Sequence, residues 1–239
     1  MDTKKIQKGK TLMVAHRGVS GLERENTNLA FVAAGNRSYF GVETDIHCTS
    51  DGDFIIIHDD STKRVAGCDC IVEQTDYATL RDMKLFDMDG KQDRIDIRMP
   101  ALEEYIRICK KYEKMCVLEL KNPMPEEAIR RIIDRIEAEE YLDHVIFISF
   151  AFENLVYVRN YRPTQTVQFL FNKFEGDVID RVKQHGFDID VYYKSLTEEI
   201  VKDLHANGIR INCWTVDNPE DAERIASWGV DYITSNILE

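Results

Sequence analysis

GVETDIHCTSDGDFIIIHD, residues Gly41 to Asp59, is the stretch on which the reading of this chain turns. Two runs of strand-forming residues, Val42 to His47 and Phe54 to His58, flank Ser50-Asp51-Gly52-Asp53. Asp-Gly between such runs predicts a hairpin closed by a tight primed turn, which needs positive φ at its centre. Alternate residues of a strand share a face, so Glu43 and Asp45 project side by side. Two carboxylates held that way repel unless a cation lies between them, and Mg or Ca, hard and oxygen-seeking, suits the pair. The hairpin carries His58 back beside its first limb, while His16 closes an earlier apolar run, Thr11 to Ala15. Two histidines near two carboxylates make an acid/base pair around a metal. His47, in phase with Asp45, is expected to line the same site.

Outward from the hairpin the chain alternates. Asn26 or Thr27 is placed to cap a helix that begins at Asn28-Leu29-Ala30-Phe31 and ends near Gly35. Ser61 to Arg98 is polar, contains Asp89-Gly90, and reads as loops or a small insertion. From Pro100 onward the rhythm is regular: helical spacing at Leu102, Tyr105, Ile106 and Cys109, a strand at Met115 to Leu120, then an isoleucine stripe from Ile129 to Ile136. Five more strands follow, separated by helices, with Thr197 as a cap and Pro219 in a first turn.

Leaving out the second limb of the hairpin, eight strands are counted, most followed by a helix. That pattern predicts an α/β fold of the (β/α)8 TIM-barrel type, one domain over residues 1–239, with a small insertion at about residues 60–98 after the second strand. An open doubly wound sheet is the competing architecture, and the missing GxGxxG or Walker loop after the first strand counts against it. Barrel active sites lie at the carboxyl ends of the strands. His16 and Arg17 leave the first strand there, Glu43 and Asp45 sit on the second, Glu119 and Lys121 end the third, and Trp214 ends the seventh.

The 239 residues carry a formal charge of −12, which disfavours nucleic acid or an anionic membrane surface as partner. A small phosphate ester needs only a local cluster of cations. Six cysteines show neither paired CxxC spacing nor the density of a disulfide scaffold, and Cys68-Asp69-Cys70 is too short a motif to carry a soft-metal or oxidation site. With no signal peptide or membrane span visible, the expected location is the cytoplasm, without stable membrane insertion.

AHRG at Ala15 to Gly18, ENT at Glu25 to Thr27, ETD at Glu43 to Asp45, TSDG at Thr49 to Gly52 and His58-Asp59 together resemble the glycerophosphodiester phosphodiesterase family. The likeness continues through MPALEE at Met99 to Glu104, LELK at Leu118 to Lys121, CWTV at Cys213 to Val216 and GVD at Gly229 to Asp231, in the same order. The resemblance implies a barrel with an insertion after His58 and one divalent metal, Mg or Ca, on Glu43, Asp45 and Glu119. It implies His16 and His58 as acid and base, and hydrolysis of a small glycerophosphodiester to glycerol 3-phosphate and an alcohol. Arg17 and Lys121 are then expected to neutralise phosphate oxygens, and Glu25, Asn26 and Trp214 to contact substrate. Arg24 departs from the family's proline before ENT, and Arg64-Val65-Ala66-Gly67 keeps only part of its Arg-Thr-Thr run.

Competing readings stand beside these. Glu119 and Lys121 share a strand face and can simply pair, Glu43 and Asp45 can bridge to Arg17 or Arg64, and Trp214 can be core. A lipid phosphodiesterase or lyase forming a cyclic phosphate, or a non-catalytic phosphate- or metal-binding barrel, would use the same scaffold.

Overall fold

The structure, a computed structural model, describes residues 2–239. In chain order its regular elements are β1 (Leu12–Ala15), α1 (Asn28–Gly35), β2 (Gly41–Cys48), β3 (Phe54–Ile56), α2 (Lys63–Ala66), α3 (Tyr77–Asp82) and α4 (Leu102–Lys111). There follow β4 (Met115–Leu120), α5 (Glu126–Ala138), β5 (Val145–Ser149), α6 (Phe152–Tyr161), β6 (Val167–Phe171), α7 (Val178–His185), β7 (Asp188–Tyr192), α8 (Glu198–Ala206), β8 (Ile211–Trp214), α9 (Pro219–Trp228) and β9 (Tyr232–Ser235). Eight strands form a closed parallel ring in the order β1-β9-β8-β7-β6-β5-β4-β2, sealed by the pairing of β1 with β2. This is the (β/α)8 barrel.

The ring strands are covered on both faces, and every residue of β5 and β6 is buried. The outer helices supply the cover. In α5, Ile129, Ile132, Ile133 and Ile136 are fully buried while Glu126 and Arg130 stay outside, the stripe expected at a period of 3.6. Helix ends follow local chemistry: the Thr27 hydroxyl accepts from the Ala30 amide, Thr197 does the same for Ile200, and Pro219 opens α9 behind the Asn218 cap.

The hairpin is present, with β3 antiparallel to β2 and outside the ring. Its turn differs from the primed form. The Gly52 amide donates to the Thr49 carbonyl at 2.9 Å, and of the turn residues only Gly52 is left-handed, at φ +81°. The loop therefore runs from Thr49 to Asp53 and needs one glycine rather than two positive-φ positions.

Residues 61–98 are more ordered than their composition suggests. α2, α3 and a 3-10 turn at Val72–Gln74 pack with Ile97 and Met99 into a small separate core against Ile55 and Ile57 of the hairpin's second limb. The apolar floor comes from the hairpin, so helices of four and six residues suffice.

The turn after β1 is held close to α1. Gly18 has φ +75°, and a Cβ there would meet the Ala30 backbone and side chain at 2.6 Å. Gly186, at φ +62°, faces nothing within 4 Å. Gly186→Ala therefore carries only the left-handed penalty of about 1–2 kcal/mol, and Gly18→Ala about 1–3 kcal/mol more from overpacking. Thermal or urea unfolding of the two variants should rank them in that order; equal losses would show that the turn relaxes away from α1.

Candidate active site

β1, β2 and β4 are neighbours in the ring, and their registry stacks the acidic groups: Asp45 is the register partner of Glu119, with Glu43 two residues lower on β2. Glu43, Asp45 and Glu119 each offer an oxygen, and these lie within 4.8 Å of one another. All three side chains are buried. Burial and the neighbouring Asp45 drive the Glu43 carboxyl well above its ordinary range and push Glu119 up to about 7. Burial opposes ionisation of Asp45 too, but Lys121 and Arg17 hold its carboxyl below the usual range. Asp45 Oδ1 makes no hydrogen bond, and Lys121 Nζ stands 3.5 Å from it. Three buried oxygen donors with one orphaned oxygen fit a hard divalent cation.

Cations meet this cluster from two sides. The Arg17 amide donates to Glu43 Oε2 at 2.8 Å, a contact made with Arg17 itself left-handed at φ +53°. Such backbone is uncommon outside glycine and is sustained where surrounding structure over-determines it. The Arg17 guanidinium lies 3.7 Å from Asp45 Oδ2. Lys121 Nζ is 2.8 Å from Glu119 Oε1, so the pairing foreseen for these two residues is formed, within the acidic trio and not apart from it.

Both histidines line one cavity with Arg17, Glu43, Glu119 and Trp214. His16 Nδ1 is 2.7 Å from Asn236 Oδ1, and its Nε2 lies 4.0 Å from Glu43 Oε2. His58 Nδ1 is 2.7 Å from Asp59 Oδ1, and Asp59 is held by Arg64 Nε at 2.7 Å. Each Nδ1 pairs with an oxygen acceptor, so each Nε2 is left to accept a proton. Burial, with the Arg17 charge beside it, pushes His16 down to about 4. Burial also lowers His58, against the pull of Asp45.

Other expected contacts lie elsewhere. Asn26 is buried behind the trio, donating from Nδ2 to Asp45 Oδ2 at 2.8 Å and accepting at Oδ1 from Thr44 at 2.7 Å; it braces a carboxylate. Glu25 lies in a shallower neighbouring cleft. There Arg64 and Arg17 hold its carboxyl down to about 2 despite burial. Trp214 is a wall of the cavity, edge-on to Phe150 at 5.7 Å between centroids. His47 does not reach the cavity. It sits where β2 has passed beyond β4 and pairs with β3, and its imidazole is buried between Glu73 at 3.2 Å and the His58 carbonyl at 3.4 Å.

Asp59 and Asn236, which orient the two histidines, were not singled out from the sequence. Asn236 follows directly on β9, so the strand-end rule would have found it. The two departures from the family pattern have roles of their own. Arg24 donates to the carbonyls of Phe86 and Asp87, tying the loop after β1 to the insertion, and Arg64 links Glu25 to Asp59. Among the described residues no helix is long and apolar enough to cross a membrane.

The chain is similar to known proteins along most of its length. A glycerophosphodiester phosphodiesterase of Caldanaerobacter subterraneus subsp. tengcongensis is 28% identical, over 95% of this chain and 94% of its own length. One from Bacillus subtilis is also 28% identical, over 94% of this chain and 83% of its own. In fold, the chain matches an Oleispira antarctica phosphodiesterase, solved with the product sn-glycerol-3-phosphate, with a TM-score of 0.83 and 23% identity, covering 98% and 96% of the two chains. The model of the glycerophosphoryl diester phosphodiesterase family matches residues 16–238, almost the full length, and the chain belongs to that family.

Proposed function

We propose that residues 1–239 form one catalytic domain that hydrolyses small glycerophosphodiesters to glycerol 3-phosphate and an alcohol, with a divalent cation on Glu43, Asp45 and Glu119. The observation that carries this reading is that two tethered imidazoles share one cavity with Glu43 and Glu119, two members of a buried carboxylate trio. Mg or Ca bound there supplies Lewis acidity toward a phosphoryl oxygen. A phosphodiester is anionic and repels nucleophiles. Arg17 and Lys121 neutralise its oxygens and the charge that develops on them in the transition state. One imidazole takes a proton from the attacking hydroxyl, and the other returns one to the departing alkoxide. Asp59 and Asn236 keep each ring in the orientation that presents Nε2. The unpaired state of all six cysteines supports the reducing cytoplasm as the setting.

Release of glycerol 3-phosphate from glycerophosphocholine and glycerophosphoethanolamine should require Mg or Ca and stop with a chelator; absence of turnover with either ester and either metal would sink the reading. His16→Ala and His58→Ala should each lower kcat by about 10²–10⁴-fold while keeping the rise in Tm that the metal produces. Full activity in either variant removes that histidine from the chemistry.

The raised carboxyls add a pH signature. Below about pH 4.5 Glu43 and Glu119 hold their protons folded or unfolded, and their crowding costs nothing. As pH climbs through about 7, Glu119 must ionise against Asp45 in the metal-free protein, and stability is lost. A cation removes that loss and displaces the protons. The rise in Tm on adding Mg or Ca should therefore be larger at pH 8 than at pH 5, and an equal rise at both would contradict the crowding.

A further inference from the structure

The cavity that holds His16 and Glu119 continues across the ring to Asp190 on β7, which stands four places around the barrel from β2. Asp190 is 2% exposed. Its Oδ2 accepts from Asn212 Nδ2 at 3.3 Å, and the Asn212 amide oxygen accepts in turn from the Thr234 hydroxyl at 3.1 Å. Its Oδ1 has no partner, and neither has the indole N–H of Trp214, another wall of the cavity. Buried polar atoms are normally paired, and leaving one unpaired costs its full desolvation. Nothing in the acid/base chemistry uses Asp190.

We propose that Asp190 reads a hydroxyl group of the glycerol moiety, so that the barrel floor selects the polyol side of the diester. This rests on the glycerophosphodiester reading above and adds to it the residue that distinguishes glycerol from an unhydroxylated chain. The cavity, about 90 Å³ in all, reaches from the histidines and Glu119 to Asp190, so a polyol against Asp190 would be continuous with a phosphate beside the histidines. Ile148 and Leu170 flank it and can cover the carbon chain. A hydroxyl, not an ammonium head group, is the matching ligand. Burial, with Glu119 nearby, pushes the Asp190 carboxyl well above its usual range. A neutral carboxyl offers a cation no charge. It pairs a hydroxyl as donor or as acceptor, and an ionised one still accepts. The unpaired Trp214 N–H can donate to a second hydroxyl.

The test separates binding from chemistry. The affinities of sn-glycerol 3-phosphate and of propyl phosphate, which lacks both hydroxyls, are measured by calorimetry with saturating Mg or Ca. The wild type should prefer glycerol 3-phosphate by at least about tenfold, because a site built to pair a hydroxyl rejects the analogue without it. Asp190→Leu should shrink that preference to under about threefold by weakening glycerol 3-phosphate alone, and Asp190→Asn, whose amide still pairs a hydroxyl, should keep most of it. Asp190→Ala is read alongside and decides the matter where Asp190→Leu does not melt cooperatively. A preference that survives loss of the carboxyl, equal weakening of both ligands, or a wild type that binds the two alike overturns the proposal. A wild type that binds neither ligand overturns the diesterase reading beneath it.

Discussion

Three carboxylates packed within 4.8 Å of one another in a barrel mouth repel, and much of the surrounding structure answers that repulsion. Part of the answer is protonation: Glu43 and Glu119 are pushed to hold protons where exposed glutamates would not. Part is counter-charge, since Arg17 and Lys121 enter from the ends of β1 and β4 and keep Asp45 ionised. The rest is hydrogen bonding from Asn26 and from the Arg17 amide, which fix two carboxylates without adding charge. A site so arranged is tense without a cation, and a hard metal ion would relieve it.

The cations that serve this cluster are themselves connected. Arg17 shares Glu25 with Arg64, Arg64 also holds Asp59, and Asp59 orients His58. The chain of contacts runs from the loop after β1 through the insertion to the second histidine. Removing the insertion would thus take Arg64 from Asp59 and loosen the tether of His58, although Asp59 and His58 both lie outside it. Arg24 makes the same connection through backbone carbonyls.

The barrel was legible in the sequence because parallel strands covered on both faces leave long apolar runs, and because caps such as Thr197 and stops such as Gly229 punctuate them. The place of the insertion was legible too, but not the order inside it. α2 and α3 are too short to show a period, and they are stable only on the floor of Ile55 and Ile57. The same limit hid parts of the site. Strand alternation puts Glu43 and Asp45 on one face, but by that logic His47 belonged with them; the ring ends before His47, and the side chain is covered by the insertion. Asp59 and Asn236 act by touching a histidine ring, and Asp190 lies at a level of the barrel that only registry reveals. Periodicity carries no information about such contacts.

The pairing of His16 with Asn236 spans 220 positions, from the first strand of the ring to just beyond the last. β1 also needs β9 as well as β2 on its flanks. The cavity therefore cannot be assembled piecemeal as the polypeptide emerges from the ribosome. Both histidines and all three carboxylates are made within the first half of synthesis, yet the contact that orients His16 waits until the strand that precedes Asn236 has been translated and docked. A prematurely terminated product would carry all five of these side chains and lack the partner that orients His16.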